Sequence, residues 1–205
     1  MISAIILAAG ESRRMGQPKM LLPWRTSSVL EHVISVFVRA DIQEILVVTG
    51  AVREQIEEAV LKYGKHYPVR SVYNKDYAQG EMLSSLQCGL RALGPVPRSS
   101  AEGPTAAALV GLGDQPQLQE RSVRLVAEAF LETESPIVIP SFQMRRGHPW
   151  LVAQPLWAEL LNMHPPQSPR DFLNAHPGDI HYVNTDSPTI LVDLDTPEDY
   201  QASQP

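Results

Sequence analysis

The residues best suited to chemistry stand near the start of the chain, in the stretch LAAGESRRMGQPK at 7–19. This stretch follows a short apolar run and combines two glycines with three cations, Arg13, Arg14 and Lys19. Glycines let backbone N–H groups approach an anion closely, and the cations neutralise its charge. The glycine spacing fits neither a P-loop nor the dinucleotide-binding fingerprint. The stretch therefore predicts a loop that holds a triphosphate, and a solvated surface loop is the alternative.

Acidic residues follow or end two later apolar runs. Asp114 comes directly after the run at 106–113, and Asp193 and Asp195 stand two apart in the run at 189–195. In an extended strand this spacing points both carboxylates to the same face. Ligands of open α/β sheets bind beyond the carboxyl ends of the strands, and Mg²⁺ prefers carboxylates together with phosphate oxygens. These acids predict a magnesium site beside the first loop. The alternatives are that Asp114 caps the next helix and that the pair faces solvent.

Two further stretches carry polar residues suited to binding. The segment at 74–90 surrounds a helix start with polar or flexible residues that could hold a base or a ribose, namely Asn74, Gly80, Ser84 and Ser85. A plain capped helix explains the same pattern. The segment RRGHPWLV places Arg146 and His148 in a turn before an apolar run. A lone histidine in such a place is more often structural than catalytic.

Alternating strand and helix patterns must position these residues. Continuous apolar runs predict strands at 3–8, 44–50, 69–73, 106–113 and 136–140. Amphipathic periodicity predicts helices at 28–40, 53–64, 81–93 and 119–132. Ser28 and Glu31 fit a capping box at the first helix, and Gly64 suits a left-handed helix end. The last third is less regular, with an apolar run at 148–152, helices near 154–162 and 169–175, an extended run at 189–195 and a helix start at Thr196. The alternation predicts an α/β domain with a mainly parallel sheet.

Length and composition narrow the class of protein. The 205 residues are enough for one substantial domain, which we expect to span 1–205. A net charge of −6 argues against nucleic acid or an anionic membrane as partner. The single cysteine, Cys88, allows no internal disulfide and suits a reducing compartment. No apolar run approaches 18 residues, so we expect a cytoplasmic protein.

The motifs together resemble those of the MobA-like nucleotidyltransferases. LAAGESRRMGQPKMLLP is similar to that family's signature LAAG-x-S-x-R-M-G-x-x-K-x-L-L. Four later motifs resemble the molybdenum cofactor cytidylyltransferase branch, namely N…G…SSLQCGL at 74–90, GDQP at 113–116, RGHP at 146–149 and DLDTPEDY at 193–200. The resemblance covers nearly the whole chain. It implies a three-layer Rossmann-like nucleotidyltransferase fold with a mainly parallel, mixed sheet, and an Mg-dependent transfer of CMP from CTP to a molybdopterin-type phosphorylated acceptor with release of pyrophosphate.

The resemblance also implies a role for individual residues. Ala9 is typical of the cytidylyl form, and the backbone of residues 7–10 would meet the nucleobase. The implied nucleotide-binding residues are Leu7, Ala8, Ala9, Gly10, Ser12, Arg13, Lys19, Asn74, Gly80 and Ser84. The implied catalytic residues are Arg13, Lys19 and Asp114. The implied metal ligands are Asp114, with Asp193 or Asp195. The implied acceptor-binding residues are Arg146, His148 and Arg170.

One segment departs from the family pattern. Relatives usually carry G-D-x-G-[AG]-R before the last strands, where this chain has PPQSPRDFL at 165–173 and keeps Arg170 as a possible counterpart of the arginine. Because this segment is expected to help hold the acceptor, two other hypotheses stay open. The enzyme could use another NTP or another phosphorylated acceptor, such as a sugar or alcohol phosphate. Alternatively, the chain could be a non-catalytic protein that binds molybdenum cofactor and delivers it to a molybdoenzyme or its chaperone.

Overall fold

The computed structural model describes residues 1–79, 81–94 and 105–204. The strands of this part are β1 Ile2–Ala8, β2 Pro23–Trp24, β3 Ser27–Ser28, β4 Glu44–Thr49, β5 Val69–Tyr73, β6 Ala107–Leu112, β7 Ile137–Phe142, β8 Arg145–Arg146, β9 Trp150–Ala153 and β10 Ile180–Asn184. The helices are α1 Val29–Arg39, α2 Arg53–Gly64, α3 Glu81–Leu93, α4 Glu120–Thr133, α5 Trp157–Asn162, α6 Pro169–Ala175 and α7 Pro197–Ser203. Short 3₁₀ helices span Lys19–Leu21, Gln154–Leu156 and Pro188–Leu191.

The main sheet is mixed and mostly parallel, as the sequence predicts. Its strand order is β10-β7-β9-β6-β1-β4-β5, and β8 pairs with β7. Only β8 and β9 run antiparallel to their neighbours in the part of this sheet that the structure describes. Leu7 of β1 stands level with Val48 of β4 and with Leu112 of β6. The carboxyl ends of these three strands therefore lie at one edge of the sheet.

Two apolar layers cover the sheet because its central strands are apolar on both sides. Ile5 and Ile6 of β1 are fully buried, on opposite faces. Helices α1, α2 and α4 pack on the face of Ile6. Helices α3, α5 and α6 pack on the face of Ile5. The result is the three-layer α/β architecture that the family resemblance implies, with the mainly parallel sheet that the alternation of elements predicts.

Most helix boundaries follow local chemistry that the sequence displays. The Ser28 side chain accepts from the backbone N–H of Glu31 at 3.3 Å, and the Glu31 carboxylate accepts from the N–H of Ser28 at 2.9 Å, which confirms the predicted capping box. The same reciprocal pair joins Thr196 and Asp199 at α7. The expectation for Gly64 is wrong, since this glycine ends α2 without a left-handed turn and Lys65 keeps right-handed helical angles.

The last third differs most from the sequence prediction. The run at 189–195 is predicted to be extended, but Pro188–Leu191 forms a 3₁₀ helix and no strand follows it there. A prolyl ring at the first helical position and the Ser187 cap favour that turn. Strand β10 is not predicted, since its residues are only partly buried and lack a clear apolar alternation. Within the described residues no helix is long and apolar enough to cross a membrane.

Candidate active site

The path of the first loop is fixed where β1 and β4 end side by side. A Cβ added to Gly50 would lie 2.3 Å from the carbonyl oxygen of Ala9, so only glycine fits at this contact. Ser12 then organises the loop, because its hydroxyl accepts from the backbone N–H of Lys19 at 3.2 Å and its carbonyl accepts from that of Gly16 at 3.2 Å. Gly16 adopts a φ of 70°, which favours glycine. The structure thus places Ser12 as the residue that shapes the loop.

Lys19 is the centre of a buried ionic cluster. Its ammonium group pairs with Asp114 and lies 3.3 Å from the Oδ1 of Asp195. The side chains of Lys19 and Asp114 are only 12 % and 13 % exposed. Burial alone lowers the pKa of Lys19, but the two carboxylates outweigh it and raise this pKa above its usual value. The lysine is therefore a fixed cation at neutral pH.

Asp114 does not cap the helix that follows it. Helix α4 begins at Glu120, and its N-cap Gln119 makes no side-chain hydrogen bond to the helix. The carboxylate of Asp114 instead faces Lys19 across the sheet edge. The capping alternative is therefore wrong.

Asp193 and Asp195 have different partners although they are two residues apart. The amide of Gln115 donates from Nε2 to the Oδ1 of Asp193 at 2.6 Å. Gln115 is 1 % exposed, and its Oε1 accepts no hydrogen bond from the residues that the structure describes. Burial raises the pKa of Asp193, the Gln115 bond opposes this, and the charges of Asp114 and Asp195 raise it further. Asp195 thus belongs to the ionic cluster and Asp193 lies beside it, so neither acid faces solvent alone.

The two adjacent arginines of the loop point to different places. Arg13 is 77 % exposed and pairs with Glu11, away from the cluster. Arg14 places Nη2 at 3.0 Å from the Oδ1 of Asp195 and lines the cavity above the cluster. The residue types alone include both arginines in the predicted triphosphate loop, and only the family resemblance singles out Arg13. Nothing in the sequence separates the two, since the turn around Ser12 decides which one faces inward.

A cavity of about 360 Å³ opens above the ionic cluster. The first loop lines it with Leu7, Ala9 and Gly10, and helix α3 lines it with Glu81, Met82 and Ser85. Ala8 is buried on the other face of the sheet and does not reach the cavity. We call this space the nucleotide cavity, because three aspartates and the loop that the sequence predicts to hold a triphosphate border it.

Asn74 connects strand β5 to the start of α3 rather than opening into the nucleotide cavity. Its side-chain amide donates to the hydroxyl of Ser84 at 2.9 Å and to that of Ser85 at 3.1 Å, and its Oδ1 accepts from the N–H of Asp76. Of these residues only Ser85 lines the cavity. Gly80, predicted to bind the nucleotide, lies outside the described residues.

A second cavity of about 610 Å³ brings together Arg146, His148 and Arg170. It lies between the β7–β8 hairpin and helix α6, and Arg145 adds a third arginine. No aspartate or glutamate is among the described residues that line it. Met82 lines this cavity and the nucleotide cavity alike, so the two spaces adjoin. We call the second space the acceptor cavity, because it contains the three residues that the family resemblance assigns to the acceptor.

The RGHP turn is held tightly against the 3₁₀ helix at Pro188–Leu191. A Cβ added to Gly147 would lie 2.6 Å from both the carbonyl oxygen and the Cδ1 of Ile190. The backbone N–H of His148 donates to the same carbonyl at 3.0 Å. Burial lowers the pKa of His148 to about 4, so its imidazole is neutral at neutral pH. His148 can therefore orient a ligand, but it is not a cation for an anion.

The chain is similar to known proteins over most of its length. Residues 4–180 match the model of the MobA-like NTP transferase domain. The chain is 28 % identical over 199 residues to the molybdenum cofactor cytidylyltransferase of Escherichia coli K12, covering 97 % of this chain and 93 % of the relative. It is 30 % identical over 162 residues to nicotine blue oxidoreductase of Paenarthrobacter nicotinovorans, covering 74 % and 70 %.

A solved structure shares the fold across nearly the whole chain. Rv0371c from Mycobacterium tuberculosis H37Rv superposes with a TM-score of 0.80 at 24 % identity, over 98 % of this chain and 97 % of that one. The same protein is also known in complex with manganese. The arrangement of strands and helices is therefore that of a known α/β fold.

Proposed function

Because the chain belongs to the MobA-like NTP transferase family and is a nucleotidyltransferase, we propose that it transfers CMP from CTP to the phosphate of a molybdopterin-type acceptor. Pyrophosphate is the second product. The similarity to a molybdenum cofactor cytidylyltransferase of E. coli supports both CTP and the molybdenum cofactor as substrates. Ala9, which borders the nucleotide cavity, is the residue type typical of the cytidylyl form.

The observation that carries this proposal is the pair of adjoining cavities with different charged linings. The nucleotide cavity has Arg14 and Lys19 together with three aspartates, a combination suited to phosphates and a divalent cation. The acceptor cavity has three arginines and no acid among its described lining residues. An anionic acceptor in the second cavity would lie next to the phosphates in the first. This arrangement suits transfer between two bound substrates.

The acids of the nucleotide cavity fit a magnesium ion that is held partly by its substrate. The carboxylates of Asp114 and Asp195 converge on the ammonium group of Lys19, and Asp193 stands beside them. No group of three or more His, Cys, Asp or Glu within the described residues is arranged to hold a metal alone. Mg²⁺ commonly takes one or two carboxylates and completes its shell with phosphate oxygens and water. When bound, the ion would neutralise charge on the phosphates; manganese in the complex of Rv0371c supports a divalent metal.

The chemistry needs no nucleophilic side chain. An oxygen of the acceptor phosphate would attack the α-phosphorus of CTP, and the bond from that phosphorus to the bridging oxygen would break, so that pyrophosphate leaves with the electron pair. The acceptor phosphate is already ionised at neutral pH, so no general base is required. Lys19 and Arg14 would stabilise negative charge on the phosphates, and neutral His148 would orient the acceptor. Positioning and charge neutralisation would supply most of the rate acceleration.

Two alternative functions differ from this proposal, namely transfer to another phosphorylated acceptor and delivery of the cofactor without catalysis. An arginine-lined cavity suits other phosphorylated acceptors as well, so a sugar or alcohol phosphate would use the same site. A delivery protein would bind the cofactor without turnover, but it would have little use for the ionic cluster of Lys19, Asp114 and Asp195. Hydride transfer has no use for that cluster either, which argues against an oxidoreductase function for this chain.

Pyrophosphate release measured across four NTPs, with and without molybdopterin, tests the proposal. We expect release with CTP plus molybdopterin in the presence of Mg²⁺. Release with GTP alone among the NTPs would refute the nucleotide assignment. Release with CTP and sugar phosphates but not with molybdopterin would refute the acceptor assignment. Tight binding of the cofactor without any release would favour the delivery protein.

A further inference from the structure

The guanidinium group of Arg146 is held by two side chains at the wall of the acceptor cavity. Its Nε donates to the hydroxyl of Tyr182 at 2.9 Å, and its Nη1 donates to the Oδ1 of Asn174 at 2.9 Å. The guanidinium carbon also lies 5.6 Å from the centre of the Tyr182 ring. The group is thus fixed along two directions, while Nη2 donates to none of the described residues.

Three separate elements build this arrangement. Arg146 lies on β8, Tyr182 on the edge strand β10 and Asn174 on α6. Both strands pair with β7, where Arg146 stands opposite Ser141 and Tyr182 stands level with Ile139. Strand β7 therefore sets the distance between the arginine and the tyrosine. Strand β10, which the sequence does not predict, thus serves to place Tyr182 beside Arg146.

Both partners of Arg146 are uncharged. A phenol oxygen and an amide oxygen fix the orientation of a guanidinium group without neutralising its charge, whereas a carboxylate would neutralise it. Other surface arginines of this protein do pair with acids, as Arg121 does with Asp186 and Arg53 with Glu57. Arg146 is held rigidly and keeps its full positive charge, as an anion-binding group requires.

The other two arginines of the acceptor cavity lack such support. The side chains of Arg145 and Arg170 make no hydrogen bond or ion pair to the residues that the structure describes, although the charge of Arg170 helps to lower the pKa of the neighbouring Asp171 after the hydrogen bonds from Ser168, and both arginines line the cavity. A mobile arginine loses side-chain freedom when it binds an anion, whereas one already held in place loses little. Arg146 is therefore the preorganised cation of the cavity.

We propose that Tyr182 and Asn174 are positioning residues for the acceptor, because they hold Arg146 so that its free N–H groups meet a phosphate of that acceptor. This inference rests on the proposed function in one respect, namely that the acceptor is anionic. It adds two residues, on β10 and α6, that the motifs do not include. Neither residue touches the nucleotide cavity.

Tyr182→Phe tests the inference because it removes only the hydroxyl group that accepts from Arg146. We expect the KM for molybdopterin to rise roughly three- to tenfold, as expected when one side chain must be ordered on binding. The kcat and the KM for CTP should stay at the wild-type values. Asn174→Ala should act in the same direction. Tyr67→Phe is the matched control, since Tyr67 is an exposed tyrosine outside both cavities, and it should change nothing.

A double-mutant cycle separates positioning from a merely structural role. In an Arg146→Ala background, Tyr182→Phe should have no further effect on the KM for molybdopterin, since the group that it positions is gone. An undiminished effect in that background would overturn the inference. So would a wild-type KM for molybdopterin in Tyr182→Phe. Equal melting temperatures of the variants would show that the fold is kept.

Failure of the proposed function would look different from failure of this inference. If the wild-type protein releases no pyrophosphate with CTP and molybdopterin, the proposed function fails. The contacts of Arg146 are then tested without any acceptor, by NMR measurement of proton exchange at the ¹⁵N-labelled Nε of Arg146. Faster exchange in Tyr182→Phe than in the wild-type protein supports the positioning role, and unchanged exchange refutes it.

Discussion

At the scale of single residues, the ionic cluster sets what the nucleotide cavity can do. Lys19 holds Asp114 and Asp195 together, and the low exposure of Lys19 and Asp114 strengthens the interaction between these two side chains more than that with the partly exposed Asp195. Such a cluster is sensitive to the loss of one charge, because the remaining groups stay in place without their partner. The acids and the lysine are therefore best tested by substitutions that keep their shape.

Asp114→Asn should reduce pyrophosphate release by about 100-fold or more, as is common when a charged group at a phosphate site is removed. The substitution keeps the size of the side chain but removes the negative charge that faces Lys19. The steady-state rate with CTP, molybdopterin and Mg²⁺ is the measurement. Asp179→Asn is the control, since Asp179 is exposed and lies outside both cavities. Near-normal activity of Asp114→Asn would contradict the metal-site proposal.

His148 should make the stability of the protein depend on pH. Its folded-state pKa of about 4 lies below the ordinary value of 6.5, because burial disfavours the imidazolium. Between pH 4 and pH 6.5, unfolding of the protein takes up a proton at His148. The contribution of neutral His148 to the free energy of unfolding is therefore present above pH 6.5 and is lost as the pH falls toward 4. The free energy of urea unfolding should fall by about 2 to 3 kcal/mol from this residue over that range.

His148→Gln should lose the pH dependence that comes from His148. The difference in unfolding free energy between the variant and the wild type should therefore change by about 2 to 3 kcal/mol between pH 7 and pH 4. His66→Gln is the control, because His66 is exposed and lies outside both cavities. A constant difference between pH 7 and pH 4 would show that His148 is not buried as a neutral group.

The residues of the site were only partly predictable. The types and spacing in LAAGESRRMGQPK and GDQP indicate a triphosphate loop and Asp114 at one place, because both motifs follow apolar runs whose carboxyl ends meet at one sheet edge. The acids of DLDTPEDY reach the same place although they follow a 3₁₀ helix and not the predicted extended run. The choice between Arg13 and Arg14 depends on the direction of the turn at Ser12, which has a φ of 53°. Sequence spacing carries no information on that direction. The hydrogen bond from Gln115 to Asp193 was also not predicted, because it joins residues 78 apart in the sequence and sequence spacing does not show which distant residues meet.

At the scale of elements, periodic patterns predicted the helices and the buried strands well. They failed on β10, where pairing with β7 decides the structure, and on Pro188–Leu191, where the Ser187 cap and Pro188 favour a turn that also contacts the RGHP segment. Strand β10 forms because β7 offers a free edge, and the 3₁₀ helix packs under the RGHP turn. Both elements support the acceptor cavity. The sequence is therefore least informative where the acceptor site is built.

Gly147→Ala should separate the RGHP turn from this 3₁₀ helix. The added methyl group would lie 2.6 Å from the backbone and the side chain of Ile190, so the turn or the helix must move. Overpacking of this kind costs about 1 to 3 kcal/mol of stability. We expect a lower melting temperature together with a higher KM for molybdopterin and an unchanged KM for CTP. Gly178→Ala is the control, because nothing lies within 4 Å of a Cβ added there. Equal effects of the two substitutions would contradict this packing argument.

At the scale of the whole molecule, the sheet places both cavities on one face. Leu7 and Leu112 border the nucleotide cavity, Ile139 and Trp150 border the acceptor cavity, and all four side chains belong to the apolar layer under α3, α5 and α6. The chain carries a net charge of −6, yet the acceptor cavity gathers three arginines. Local charge rather than net charge therefore decides which ligand can approach this face.

Met82 is the only described residue that lines both cavities, and it is 43 % exposed. Because a nucleotide and an acceptor bound side by side must meet at this side chain, a larger group there should misplace the reacting atoms. A displacement of about 1 Å can cost roughly 100-fold in rate, so Met82→Trp should lower kcat by about 10- to 100-fold. Binding of CTP alone, measured by calorimetry, should change only a few-fold. Leu61→Trp is the control, since Leu61 is exposed on α2 and lies outside both cavities. A wild-type kcat in Met82→Trp would show that the substrates do not meet at this boundary, and that transfer follows a route other than the one between the two cavities.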